Sequence, residues 1–178
     1  PLAYLKTNVE GTYNVLEAAR KLKIKNIIIT STSEVYGSAQ YIPIDEKHPI
    51  NSQSPYAASK AAADQLAMSY YKSFNLPVKI IRPFNIFGPR QSERAIIPTI
   101  INQTLSSNKS LILGNTKPTR DFNYISDVVE AFIMIMKNKK TVGKVLNVGN
   151  NKRISILSLC EEIFKIMNVK KKIEINSN

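Results

Sequence analysis

Tyr56 and Lys60 stand four residues apart in the run Ser54-Pro55-Tyr56-Ala57-Ala58-Ser59-Lys60. On a helix that spacing puts a phenol and an ammonium on one face. Ser54 is a helix-capping residue type and Pro55 suits the first helical position, so Tyr56 falls in the first turn, near the positive end of the helix dipole. A neighbouring cation and that dipole both favour phenolate over phenol. The pair reads as a device for moving a proton near neutral pH. Three further runs carry chemistry: the hydroxyls and carboxylate of Ser31-Thr32-Ser33-Glu34-Val35-Tyr36-Gly37, the segment from Arg82 to Arg90, and the segment from Arg120 to Asp127.

These runs need elements to hold them. Residues 1 to 23 show helical spacing, with Val9, Tyr13, Leu16 and Ala19 expected on one face. Ile27 to Ser31 is a short β-branched run of the kind buried in parallel sheets. A polar loop with Gly37, Pro43 and Pro49 follows, in which His48 is expected to be solvated. The Tyr56 helix covers 55 to 74, and Val78 to Ile81 is the next strand. A helix is expected over Ile96 to Leu105, a strand over Leu111 to Leu113 and an extended segment over Phe122 to Ile125. Ser126 is expected to cap a helix ending near Lys137; a strand over Val145 to Val148 and a helix over 155 to 167 complete the pattern. Alternating helix and buried strand argues for an α/β fold with a parallel sheet. Ligands of such sheets bind beyond the carboxyl ends of the strands, which singles out Thr30 to Gly37 and Pro83 to Gln91.

Composition narrows the function classes. The chain has 178 residues, 43% hydrophobic and 21% charged, which is the balance of a soluble globular domain. No apolar run approaches the roughly 20 residues of a membrane span, so no membrane partner is expected. Cys160 is the only cysteine, set in a run that reads as buried helix face, and a reducing cytoplasm is the expected compartment. His48 is the only histidine, which argues against histidine metal sites and Ser-His-Asp triads; no metal is expected. The net charge of +12 comes from scattered lysines, with Lys170 to Lys172 read as a solvated edge. Basic and aromatic residues are not interleaved along a strand, so nucleic acid is not the expected partner; the positive field suits anionic small molecules.

Order and spacing of the four runs resemble the extended short-chain dehydrogenase/reductases, and within them the NAD-dependent nucleotide-sugar epimerase/dehydratase group. Asn8-Val9-Glu10-Gly11-Thr12 and Asn147-Val148-Gly149 resemble further landmarks of that family. The resemblance implies a partial Rossmann-like, doubly wound parallel sheet with a small C-terminal substrate-binding region. Residues 1–84 would be the later part of the NAD-binding domain with the catalytic groups. Residues 85–178 would mix substrate-binding segments with returning Rossmann elements. The six glycines form no Gly-rich phosphate turn. The sequence therefore resembles roughly the middle half of such an enzyme, expected to bind NAD poorly alone. The resemblance also implies a homodimer through helices 1–20 and 55–74.

The family resemblance assigns roles. Thr32 would hold the sugar C4 oxygen near Tyr56, which would take the C4 hydroxyl proton. Lys60 would bind the nicotinamide ribose and lower the pKa of Tyr56. Ser31, Pro83 and Phe84 would line the cofactor; Asn85, Arg90 and Arg120 would meet the substrate diphosphate, and Leu113 the base. Glu34 fits the base that removes a C5 proton in a 4,6-dehydratase, whereas Ser33 replaces the aspartate that serves as acid in the dTDP-glucose enzymes. Tyr41 to Glu46 and Gly88 to Ser92 resemble the dehydratases of N-acetylhexosamine nucleotides, in particular that of legionaminic acid synthesis in bacteria. Thr32-Ser33-Glu34 also resembles the nucleotide-glucuronate decarboxylases. A 4-epimerase, which needs no carboxylate at position 34, and an NAD-sensing pseudo-enzyme are the remaining readings.

Overall fold

A computed structural model describes residues 1–107 and 109–176. In chain order it contains α1 (Leu2–Tyr4), a π-helical stretch (Leu5–Glu10), α2 (Gly11–Lys21), β1 (Ile27–Thr30), a 3-10 turn (Ser33–Tyr36), α3 (Pro55–Phe74) and β2 (Val78–Pro83). There follow β3 (Asn85–Phe87), α4 (Ile96–Leu105), β4 (Ser110–Leu113), β5 (Thr119–Arg120), β6 (Phe122–Tyr124) and α5 (Ile125–Lys137). A second 3-10 turn (Lys139–Thr141), β7 (Val145–Val148), β8 (Ile154–Ser155), α6 (Ile156–Met167) and β9 (Lys172–Ile175) complete the chain. The α/β class with parallel pairing is as the sequence implies. No helix among the described residues is long and apolar enough to cross a membrane.

The chain forms two compact units. The first comprises Pro1–Phe84 and Ser126–Gly149, the second Asn85–Ile125 and Asn150–Asn178. In the first unit β1, β2 and β7 form a parallel sheet in that order, with Ile27 opposite Val78 and Ile80 opposite Val145. The central strand β2 is buried along its whole length, including Lys79 and Arg82, whose charged ends are hydrogen-bonded to the Ile135 and Met136 carbonyls and to Asp64. Leu16, Ala67, Val78 and Ile80, each 0% exposed, form the centre of the core between the sheet and α2 and α3. Burying side chains of that size contributes roughly 1.5–3 kcal/mol each. The second unit builds its core from Ile100 of α4, Leu111 and Leu113 of β4, and Leu159, Cys160, Ile163 and Phe164 of α6.

Several expectations are corrected. The first helix is continuous in path but π-wound over Leu5–Glu10, and the Gly11 N–H reaches the Lys6 carbonyl. Of the residues expected on one face, Leu16 and Ala19 are buried and Val9 is half-buried, whereas Tyr13 is 47% exposed. Ser126 does not cap α5, because the helix already includes Ile125; its hydroxyl donates to Asp127 Oδ1 at 3.0 Å. His48 is not solvated but 2% exposed. Its Nε2 accepts from the Gln40 N–H at 2.9 Å, and its ring packs against Tyr36 and Tyr41. At the expected solvated edge Lys170 and Lys172 are exposed, and only Lys171 departs from it: half-buried, its Nζ donates to the carbonyls of Gln103 and Ser106 beside β9, which pairs in parallel with β4.

Candidate active site

The site of the first unit is built where β1 ends. The Ser31 N–H donates to the Ile81 carbonyl at 2.7 Å, so Ser31 is still tied to β2. Thr32 is extended (φ −156°, ψ 151°) and caps the 3-10 turn, its Oγ1 accepting from the Glu34 N–H at 3.2 Å. Thr32 and Ser33 are half-buried, and Glu34 is exposed. Gly37 closes the turn with φ 65°, and its N–H donates to the Glu34 carbonyl at 3.1 Å. A Cβ at that position would strike the Asn51 carbonyl, so the close approach of two backbone segments demands glycine.

Helix α3 supplies the other side. Ser54 caps it as the sequence predicts, Oγ accepting from the Ala57 N–H at 3.0 Å, with Pro55 in the first turn. Tyr56 is half-buried, and its ring meets Tyr4 edge-on at 5.6 Å. Its backbone carbonyl accepts from Ser59 Oγ at 2.7 Å, and Ser59 Oγ in turn accepts from Asn8 Nδ2 at 2.9 Å. The π-wound stretch thus places Asn8 against the Tyr56 turn. One turn further on, Lys60 is half-buried and its Nζ donates to the Thr30 carbonyl.

The electrostatics depart from the sequence expectation. Burial pushes the Tyr56 phenol above its ordinary value, and the Glu34 carboxylate and Tyr4 push the same way. Burial pushes the Lys60 ammonium down, opposed by Asp64. The expected lowering of Tyr56 by Lys60 is therefore corrected. The Lys60 ammonium donates to a backbone carbonyl, and the charge that adds to burial in raising the phenol is the carboxylate of Glu34.

Behind these groups lies a buried network. Arg82 (3% exposed) donates to Asp64 Oδ2 through Nε at 2.9 Å, and its Nη2 stands 2.9 Å from the same oxygen as an ion pair. Ser31 Oγ donates to the same oxygen at 2.8 Å. Arg82 Nη1 donates to the Tyr36 hydroxyl at 2.9 Å, and Tyr36 donates to Asn147 Oδ1 at 2.8 Å. Sequence reading missed Asp64, although it continues the four-residue ladder Tyr56, Lys60, Asp64. It also missed the Asn8 contact, which depends on the π turn. Pro83 is buried at the end of β2, and Phe84, half-buried, donates its N–H to the Val148 carbonyl at 2.9 Å.

The diphosphate and base candidates lie in the second unit. Asn85 is exposed, its N–H on the Asp121 carbonyl at 3.0 Å. Arg90 is exposed in a left-handed conformation (φ 64°). Arg120 is exposed and donates to the Thr119 carbonyl at 3.0 Å. Asp121 is not its partner, because that carboxylate accepts the N–H groups of Asn150 and Asn151 at 3.0 and 2.9 Å. The Leu113 side chain, 6% exposed, lies in the core of this unit.

The profile of the family described as GDP-mannose 4,6 dehydratase matches residues 1–178. The chain belongs to that family. Among curated members, it is 41% identical over 176 residues to a dTDP-D-glucose 4,6-dehydratase of Dictyostelium discoideum, an alignment covering 93% of this chain and 40% of the relative. It is 34% identical over 185 residues to UDP-glucuronic acid decarboxylase 1 of Arabidopsis thaliana, covering 100% of this chain and 42% of that one. The crystal structure of dTDP-glucose 4,6-dehydratase from Bacillus anthracis in complex with NAD superposes with a TM-score of 0.91 at 33% identity, over 98% of this chain and 56% of that one. The UDP-glucuronic acid 4-epimerase of Bacillus cereus, in complex with UDP-glucuronic acid and NAD, superposes with a TM-score of 0.90 at 31% identity, over 98% and 55%. The chain thus spans about half the length of the family members it matches. Dehydratase, decarboxylase and epimerase members all lie at comparable distance.

Proposed function

We propose that this chain is the catalytic portion of an NAD-dependent nucleotide-sugar 4,6-dehydratase, converting a nucleotide-linked hexose to its 4-keto-6-deoxy form with loss of water. The observation that carries the reading is the face of α3 on which Tyr56 and Lys60 are both half-buried, with Lys60 Nζ on the Thr30 carbonyl at the strand end that leads into Thr32 and Glu34. The donors present suit NAD, because a half-buried phenol and ammonium share the helix face beside the strand end that carries Ser31, and Pro83 and Phe84 end the neighbouring strand. Bound beside these residues, NAD would supply the hydride acceptor for C4 and the hydride donor for C6.

The chain's own residues do the rest. Thr32 hydrogen-bonds the C4 oxygen, and Tyr56, which must be ionised against the effect of burial and Glu34 on its phenol, takes its proton as the ketone forms. The C5 proton, acidic beside that ketone, goes to Glu34, and the C6 hydroxyl departs as water. Ser33 is too weak an acid to protonate that leaving group, so a water or Glu34 itself delivers the proton. Lys60 holds the ribose side of the cofactor, and Asn85, Arg90 and Arg120 hold the diphosphate through charge-assisted donors.

Resemblance of the Tyr41 to Glu46 segment favours an N-acetylhexosamine nucleotide, used in bacterial surface-sugar synthesis in the cytoplasm. The exposed apolar side chains Leu2, Leu5 and Val15 support a homodimer formed through the first helix and α3. Decarboxylation of a nucleotide glucuronate is the second reading, favoured by Ser33 in place of an aspartate.

Mass spectrometry of the full-length enzyme with UDP- and GDP-N-acetylglucosamine separates these outcomes: loss of water is expected, and loss of carbon dioxide from a glucuronate would favour the second reading. Glu34→Gln is expected to cut 4-keto-6-deoxy product by about 10²–10⁴-fold while reduced cofactor still forms on mixing. Undiminished product would remove Glu34 from the mechanism.

A further inference from the structure

The face of α3 that carries Tyr56 and Lys60 continues to Asp64, which the reaction above does not use. Asp64 is 1% exposed. One of its oxygens, Oδ2, serves Arg82 and Ser31; the other, Oδ1, is buried without a hydrogen-bond partner. Stability is a poor explanation for such a group. Replacing a buried ion pair by apolar side chains is often neutral or stabilising. An unpartnered buried oxygen adds a further cost.

What the pair does secure is placement. Lys60 binds the carbonyl of Thr30, and Asp64 binds the hydroxyl of Ser31. Two successive turns of α3 therefore hold two successive residues of the strand end, and Thr32 is the next residue. On its far side, Arg82 lies 4.9 Å from the Tyr36 ring centre and donates to the Tyr36 hydroxyl. Tyr36 is the last residue of the 3-10 turn that bears Ser33 and Glu34. One buried pair thus reaches both arms of the site.

We propose that Asp64 is a positioning residue of this active site: locked to Arg82 and Ser31, its carboxylate fixes the strand end beneath Thr32 and presents a negative charge to Lys60. This rests on the reading of Thr32, Tyr56 and Lys60 as the reacting groups. Lys60 Nζ donates to the Thr30 carbonyl on β1, and the charge that acts on it is that of Asp64 on its own helix; Asp64 is in turn paired with Arg82 on β2, and Glu34 acts on Tyr56 from the 3-10 turn. Burial lowers the Lys60 pKa and Asp64 opposes that effect. Without the carboxylate the ammonium is lost at lower pH, and activity that needs it falls at lower pH as well.

The test uses the full-length enzyme. Asp64→Asn alone strands a buried guanidinium, so the informative variant is Asp64→Asn combined with Arg82→Gln, which buries no charge. It is expected to lose about 10- to 100-fold in kcat from misplacement of the strand end. The alkaline limb of its pH profile moves to lower pH, and Asp64→Glu restores the limb. Ser31→Ala, which keeps the ion pair, lowers kcat and leaves the limb in place. An alkaline limb unmoved in the double variant, with only the melting temperature changed, overturns the proposal. Titration of the Lys60 ammonium by NMR reads the same effect without turnover. Wild-type protein inert toward every nucleotide sugar would defeat the proposed reaction, whereas an unmoved Lys60 titration would defeat the role of Asp64.

Discussion

Glu17 shows how a single half-buried carboxylate can be held from two sides. It accepts from Arg20 through Nε and Nη2, both at 3.0 Å, and from the Tyr70 hydroxyl at 2.8 Å. These donors lower its pKa from 4.5 to about 2, and the same contact, together with burial, pushes the Tyr70 phenol up to about 12. A carboxyl lowered on folding contributes stability that is complete above its unfolded value and is lost as pH falls through its folded value. The Glu17 contribution is therefore expected to disappear between about pH 4.5 and pH 2. Acid unfolding followed by circular dichroism checks this: wild type and Glu17→Gln should differ above that window and converge below it. A constant difference across the window would show that the contact carries no proton linkage. At this scale the sequence exposes residue types and spacings, such as Tyr56, Lys60 and Thr32, because helix and strand periods are local. It does not expose what charge each group meets. The influence of Glu34 on Tyr56 and the seat of Lys60 on a backbone carbonyl depend on how a 3-10 turn meets a helix end, and burial of His48 depends on Tyr36 and Tyr41 closing around it.

The elements divide in the same way. Helix α3 is legible to the residue because its signals are local: Ser54 and Pro55 start it, and Asn75, left-handed at φ 53°, ends it before Pro77. The strands β1, β2 and β7 announce themselves by clusters of valine, isoleucine and leucine, although Lys79 and Arg82 interrupt β2 and Asn147 interrupts β7. The two-residue strands β5 and β8 and the strand β9 do not, since each exists only through a distant partner: Arg120 opposite Ile154, and Leu111 opposite Ile173. The π-wound stretch is equally silent, yet it decides that Asn8 meets Ser59. Two predictions belong here. Removing the cap with Ser54→Ala should cost about 1 kcal/mol in urea unfolding and loosen the turn that carries Tyr56. Gly37→Ala should cost more. It forces a side chain into a left-handed conformation, itself roughly 1–2 kcal/mol, and drives Cβ onto the Asn51 carbonyl, a backbone atom that cannot swing aside. A Gly37→Ala protein as stable as the Ser54→Ala protein would mean that the 3-10 turn and the 51–53 segment separate easily.

At the scale of the whole chain, each unit has its own core, and the sequence distributes two natural probes between them. Cys160, the only cysteine, sits in the second unit at 0% exposure, and burial pushes its thiol up to about 11. Thiol reagents attack the thiolate, so near neutral pH this residue is protected twice, by access and by protonation. The chain has no tryptophan, and of its tyrosines all but Tyr124 lie in the first unit. Tyrosine fluorescence therefore follows the first unit and thiol labelling the second. The first unit has a three-stranded parallel sheet with a fully buried central strand, whereas the second relies on paired strands, two to each ladder, packed by α4 and α6. Two-stranded ladders are marginal without such helix packing. The second unit is accordingly expected to open first. In a urea series, Cys160 labelling should reach its midpoint below that of the tyrosine signal, and native protein should label slowly. A variant that trims the second core, Ile163→Ala, should lower the labelling midpoint by the equivalent of about 2–5 kcal/mol and leave the tyrosine midpoint near its original place. If the two midpoints coincide in wild type and move together in the variant, the units unfold as one cooperative body, and the division of the chain into separately stable parts is wrong.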